Sequence, residues 1–412
     1  MEAREQRGLQ IAALSKISKN GTGWIVPSQT ANGQSYKVDV EDQSCTCPDN
    51  QFRGQKCKHL FAVEYTLQRE TVTDGQTTVT KTTETVKVTR VTYPQNWSAY
   101  NAAQTEEKSR FMELLANLCS GIPQPEQTGA GRPRLPMSDM VFGCAYKVYS
   151  CFSSRRFTSD LRDAYAKGFA NSTPHFNSVS NYLSDPAITS ILTHLITASS
   201  LPLKSVEHDF AIDSSGFSTS RFVRWYNKKY GKEVDNREWV KVHLTCGVKT
   251  NIVTAAEVSG WTAHDTNYFA SLFERTAKHF NVDEFSGDKA YLSHRNLELV
   301  VSWGATPFIP FKSNTVEPNE DSVWARMYHY FMLNRSDFID HYHKRSNVES
   351  TMNMIKAKFD GAIRSKSDVG QVNEVLCKVL CHNICVLIQE IHELGIEVDF
   401  CAENRVAQVS AA

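Results

Sequence analysis

The residues of this 412-residue chain best placed to do chemistry lie in HYHKRSNVESTMNMIKAKF, residues 341–359. The stretch has no Pro or Gly and carries Val348, Met352 and Ile355 at helical spacing, so it is expected as one helix with a buried side. Tyr342, Arg345, Glu349 and Lys356 then stand in the spacing Y-x2-R-x3-E-x6-K. At about 100° per residue they share an arc of roughly 60°. One face would thus hold an acid flanked by a phenol and two cations. A helix standing alone could use such a face for pair stability of a few tenths of a kcal/mol. Two further acids change that reading. Asp213 follows the apolar run FAI, and Asp288 closes FSGD, each where a buried strand is expected to meet a polar turn. With Glu349 they give D-x74-D-x60-E, three carboxylates that would repel unless divalent cations neutralise them. Hard oxygen donors suit Mg²⁺ or Mn²⁺, and two such ions about 4 Å apart can drive in-line attack on phosphorus.

A second constellation lies near the start. In SCTCPDNQFRGQKCKHLFAVEYTLQ, Cys45, Cys47, Cys57 and His59 read C-x-C-x9-C-x-H, followed by an amphipathic helix through Leu60, Val63 and Leu67. Three thiolates and an imidazole fill the tetrahedral shell of structural Zn²⁺. Strand-like runs around WIV and SYKVDV precede it, and a module with so small a core gains much from a metal.

The elements that must position the acids begin near residue 207, where the pattern becomes three strands, helix, strand, helix, strand and a long helical tail. WVKVHLTCGV and IVTAAEVS are expected as a hairpin joined through KTN, and ATPFIPF as the last strand. In the tail, Cys377, Cys381 and Cys385 recur every fourth residue among Leu and Val, which marks core thiols. Upstream, helices are expected near 137–152, 158–168, 176–184 and 186–199. Ser153, Arg155 and Arg156 between them fit a helix-turn-helix-like unit and a purely structural helical domain equally. TEEKSRFMELLANLC is expected as a helix capped by Thr105. Residues 71–92 hold ten threonines and read as a flexible linker.

The chain has 45 basic and 45 acidic residues, so any nucleic-acid signal must be local. One lies at 220–241: seven cations, Arg221 and Arg224 among them, against three acids, with Trp225, Tyr226, Tyr230 and Trp239 interleaved. Such a mix grips phosphates and stacks on bases. No run approaches 18 apolar residues, the start lacks a signal-peptide core, and eleven cysteines follow no secreted framework, so a reducing compartment is expected.

On these motifs, residues 207 to about 390 resemble the DDE transposases of bacterial insertion sequences. The family's Y-R-E-K signature matches at Tyr342, Arg345, Glu349 and Lys356, and its acids at Asp213 and Asp288. The resemblance implies an RNase H-like mixed sheet flanked by helices, an α/β fold. It also implies Mg²⁺- or Mn²⁺-dependent cleavage of transposon ends by Asp213, Asp288 and Glu349, with joining of the freed 3′-hydroxyl to target DNA. It implies DNA contacts from Tyr342, Lys344, Arg345 and Lys356 beside Arg221 and Arg224. A homodimer on the paired ends and a cytoplasmic, DNA-associated prokaryotic location go with it. The first 70 residues resemble the SWIM zinc finger, with Cys45, Cys47, Cys57 and His59 on Zn²⁺. The expected order is zinc module 1–70, linker 71–96, helical domain 97–205 as a candidate for DNA binding, catalytic domain 206–395 and tail 396–412. The 60 residues between Asp288 and Glu349 are short for the β-rich insertion of some members. A nuclease on the same fold, or a DNA-binding regulator using the zinc module alone, would share part of this pattern.

Overall fold

The computed structural model describes residues 3–71 apart from 16, 21–22, 29–33, 41 and 54, and then 96–127, 133–219, 239–318 and 322–400. The chain forms two compact units, Met1–Thr92 and Tyr93–Ala412. The Thr-rich linker falls almost wholly outside the described residues.

The first unit opens on a helix that the sequence pattern did not announce, α1 (Ala3–Leu14). Its Gly8 is needed for close packing, because a Cβ there would lie 2.4 Å from Cβ of Phe61. An antiparallel sheet follows in the order β1 (Ser18–Asn20), β2 (Gly23–Pro27), β3 (Ser35–Asp39) and β4 (Ser44–Cys45). Alternation in β2 turns Trp24 and Val26 inward, onto Val38, Leu60 and Val63. The unit closes with α2 (Pro48–Arg53) and α3 (Lys58–Thr71).

The second unit begins with α4 (Trp97–Ser120), which starts eight residues before the expected Thr105 cap. The Asn96 side chain accepts the Ala99 N–H, and Asn outranks Thr as a cap. Then come α5 (Met137–Ser150), α6 (Ser154–Ala166), α7 (Phe176–Leu183) and α8 (Pro186–Ser200). The α/β part is β5 (Asp209–Ser218), β6 (Trp239–Gly247), β7 (Val253–Gly260), α9 (Thr266–Ala277), β8 (Glu284–Gly287), α10 (His294–Ser302) and β9 (Thr306–Phe308). Four helices follow: α11 (Val323–Leu333), α12 (Arg335–His343), α13 (Ser346–Phe359) and α14 (Asp368–Leu394).

The sheet order is β7-β6-β5-β8-β9, with β5–β6 and β6–β7 antiparallel and β8 and β9 parallel to β5. This is the mixed, RNase H-like sheet that the sequence led us to expect. Period-two alternation sends Phe210 and Ile212 of β5 into one core and Ala211 and Phe217 into the other. The first core gathers α9 to α12. The second gathers α4, α5, α8, α13 and α14 with the opposite sheet face. The boundary expected at 205 therefore falls inside a continuous core. Helix α14 is long and apolar enough to cross a membrane by length and composition, but 78% of its most apolar window is buried inside the fold. Cys377 and Cys381 are wholly buried there, as their spacing foretold, and Cys385 is half-buried.

His382 of α14 is 3% exposed and its Nε2 lies 2.9 Å from the Asn251 carbonyl oxygen. Burial pulls its pKa down to about 4. Unfolded, it would protonate near 6.5, so between the two values the unfolded chain binds the extra proton and stability rises with pH. Melting should weaken as pH falls from 7 to 4, by up to about 3 kcal/mol from this group. His382→Gln should flatten that acid limb; an unchanged limb would assign it elsewhere.

Candidate functional site

The three acids stand on separate elements. Parallel pairing of β5 with β8 ends at Ile212 and Gly287, so Asp213 and Asp288 each sit one residue beyond the last pair. β5 itself runs on to Ser218, because β6 pairs with it throughout. Asp213 is therefore in mid-strand, not at the strand end expected from sequence. Gly287 keeps the two strands close: a Cβ there would lie 3.0 Å from Cγ2 of Ile212. Asp213 Oδ1 accepts the Ser214 N–H at 2.8 Å, and Asp288 Oδ1 accepts the Lys289 N–H at 2.6 Å.

Glu349 lies in the first turn of α13, and here the expected single helix is broken. The N–H groups of Lys344 and Arg345 bond to the carbonyls of His341 and Tyr342, three residues back, which tightens the chain into a turn between α12 and α13. The two side chains then part. Lys344 Nζ pairs with Asp209 and Glu284, both at 2.7 Å, where β5 and β8 begin and four residues before the candidate acids. Arg345 donates to Asp213 Oδ2 at 2.8 Å and also to Glu349 Oε1. Asp209 and Asp213 are four residues apart on one strand, about 13 Å, so neighbouring side chains on a continuous helix face could not serve both.

Electrostatics tie the acids together. Burial raises the pKa of Asp213; the Ser214 N–H and Arg345 oppose the rise, and Asp288 and Glu349 add to it. Burial opposes the Arg345 charge, but Tyr342, Asp213 and Glu349 outweigh it and hold the guanidinium charged. Tyr342 packs half-buried on the α9–α12 core with the Arg345 guanidinium 5.8 Å from its ring centroid, and burial raises its pKa. Lys356 donates to Ser215 Oγ at 2.6 Å and stands 5.4 Å from the Phe217 ring centroid; burial lowers its pKa.

Thus Asp213, Glu349, Arg345 and Tyr342 share one neighbourhood, with Asp288 beside Asp213 and Lys356 farther along α13. Lys344 is engaged elsewhere. Arg221 and Arg224 lie outside the described residues, as does most of the basic, aromatic stretch. At its described end, Trp239 is half-exposed and Lys241 is paired with Asp265. Sequence reasoning missed Ser215, Gly287 and the Asp209–Glu284 pair. The run DSSGF held the only signal for Ser215, a hydroxyl two residues along from Asp213 and hence on the same strand face.

In the first unit, Cys45, Cys47, Cys57 and His59 are all buried, with their donor atoms within 4.8 Å of one another. His59 Nδ1 lies 3.8 Å from the Cys45 sulfur and 3.9 Å from that of Cys57. The Cys45 N–H is held by Asn50 Oδ1 at 2.8 Å, which fixes the loop. The hydrogen bond from Cys45 draws the Cys57 thiol down to about 3 against burial, and His59 adds to the fall. The same contact, with burial, pushes Cys45 up, and burial raises Cys47. Softness, number and convergence of these donors fit Zn²⁺.

Full-length protein should contain one zinc per chain, and Cys57→Ser should lose it. Because the core of this unit is small, chelation should melt residues 3–71 first and leave the transition of the larger unit in place. Metal analysis with calorimetry checks both; a zinc-free chain unmoved by chelator would refute the assignment.

No solved structure matches the chain. The family model of the transposase DDE domain matches residues 204–384, and that of the SWIM zinc finger matches residues 36–68. The first match implies use of a divalent metal and the second zinc binding. The chain thus carries a SWIM zinc finger near its start and a transposase DDE domain in its C-terminal region, the arrangement that its motifs resembled.

Proposed function

We propose that this protein is a DNA transposase that cuts transposon ends and joins the freed 3′-hydroxyl to target DNA, using Asp213, Asp288 and Glu349 to hold two divalent ions. The observation that carries the reading is geometric: Arg345 ties Asp213 to Glu349, and Asp288 sits, like Asp213, one residue beyond the last β5–β8 pair. Carboxylates gathered in a partly buried place suit a divalent cation between them. Bound there, Mg²⁺ or Mn²⁺ supplies an activated attacking oxygen and charge relief for the leaving one.

The remaining residues position. Arg345 bridges Asp213 and Glu349 and so fixes where the carboxylates meet. Lys356, oriented by Ser215, offers its ammonium to a neighbouring phosphate. Tyr342 orients a phosphate or stacks on a displaced base. Its raised pKa makes the phenolate scarce, which argues against a nucleophile. A homodimer would hold two ends together, with the transposon ends and target as DNA partners. Location follows as cytoplasmic and DNA-associated.

DNA flanking the reading frame, searched for terminal inverted repeats, supplies the substrate. Asp213→Asn and Glu349→Gln should lower cleavage and joining a hundredfold or more, since even outer-shell partners of metals are worth about 10–100-fold. Binding to the ends should stay nearly intact. Either variant cutting like the parent would sink the proposal, and cutting without joining would move the protein to the nucleases. Tyr342→Phe should keep much of the activity with no covalent adduct; an adduct trapped at Tyr342 would replace metal-ion chemistry by a tyrosine-dependent route.

A further inference from the structure

Helices α5 and α6 are joined by three residues, Cys151, Phe152 and Ser153. Cys151 turns the chain with a φ of 55°, in the left-handed region. Two helices around so short a turn form the connection that helix-turn-helix units use. The other possible pair, α6 with α7, is separated by residues 167–175, too long for that turn. Helix α5 is buried along most of its length, so of the pair only α6 can meet a partner.

α6 buries Phe157, Leu161 and Ala164 and leaves Arg155, Arg156, Ser159 and Arg162 exposed. At about 100° per residue, Arg155, Ser159 and Arg162 share an arc of roughly 60° over about 10 Å of axis. The acids of α6 are already committed: Asp160 pairs with Lys108 at 2.9 Å and Asp163 with Lys167 at 3.0 Å. Among the described residues none of the three arginines has an ion pair, and Arg155 leans on the Phe176 ring at 5.2 Å. Ser159 Oγ donates to the Arg156 carbonyl and keeps its lone pairs open. The major groove of B-DNA is about 12 Å wide, admits one helix, and offers arginine the O6 and N7 acceptors of guanine. The turn before α6 is anchored on α13. The Cys151 thiol donates to the Lys358 carbonyl at 3.6 Å, and Arg364 donates to the carbonyl of Cys151. Lys358 lies nine residues after Glu349, about 14 Å along α13, which is less than half a turn of duplex.

We propose that α6 is a recognition helix that enters the major groove of duplex DNA, where Arg155 and Arg162 read guanines with Ser159 between them. Arg156, about 100° round the axis from Arg155, meets a flanking phosphate. That the duplex is a transposon end rests on the function proposed above.

A random pool of duplexes would be selected on full-length parent, Arg155→Gln and Arg162→Gln proteins, with affinities and melting measured beside it. The parent should enrich a motif that contains guanines. Methylation of their N7 atoms, which face the major groove, should block its binding. Both side chains are exposed, so each variant should melt with the parent. Each should lose the preference at one guanine and bind the motif roughly 5- to 150-fold more weakly. A parent that enriches no motif would overturn the proposal, as would variants that keep its motif and affinity. Equal weakening on every sequence would reduce α6 to a backbone contact and end the groove assignment. A changed oligomeric state at parental DNA binding would make α6 a dimer face and end it too. If the variants behave as stated but the motif is missing from the DNA flanking the reading frame, the recognition helix stands and the transposase reading falls.

Discussion

The turn between α12 and α13 is held by two cations that pull in opposite directions along β5. Lys344 is bound to Asp209 and Glu284 where β5 and β8 begin, and Arg345 to Asp213 just past the point where their pairing stops. Two adjacent residues spanning about 13 Å of strand fix the direction of α13 over the sheet. That direction sets where Glu349 falls, and through it the geometry of the whole acid group. The two arms are not equal. Arg345 and Asp213 are each about four-fifths buried in their side chains, whereas Glu349 is 54% exposed, so water screens the second arm far more.

The same seam explains why the site opens where it does. β8 leaves β5 after Ile212, and the chain emerging from α13 returns to it at Ser218, which bridges to Ala362. Between these points β5 keeps its β6 partner on one edge only, among the described residues. Asp213 and Ser215 lie in that gap, the first held by Arg345 and the second by Lys356. Mid-strand polar residues survive here because helix-borne cations, rather than another strand, complete them.

Much of this was legible in sequence where a pattern has a local cause. The strands and helices after residue 207 follow hydrophobic period and turn residues. The zinc ligands follow spacing, and the α14 cysteines follow an apolar face. Asp213 could be singled out because it follows the apolar run FAI, and Asp288 because it closes the short strand pattern FSGD. What stayed hidden depends on partners distant in sequence. Nothing within HYHKRSNVE announces that Lys344 will seek Asp209 and Glu284, so a helix pattern without Pro or Gly read as unbroken. Thr105 looked like a cap because it precedes acids, yet Asn96, nine residues earlier, caps a longer helix. The shared core joining α4 to α8 with the sheet depends on α14, more than 160 residues away, and no local signal separates that from a free-standing helical domain.

A chain with equal numbers of acids and bases can still present a polyanion with a positive path, provided its acids are already committed. Along α13 and the segment after it, Glu107 is taken by Lys358 and Tyr149, Glu374 by backbone N–H groups, and Asp209 and Glu284 by Lys344. What these pairings leave beside the carboxylates is Lys356, whose ammonium is held by the Ser215 hydroxyl and stands over the Phe217 ring. Arg345 is tied to Asp213 and Glu349, at the place where the carboxylates meet. Any local excess of positive charge here is therefore produced by selective neutralisation, not by composition. For that reason it leaves no trace in the net charge.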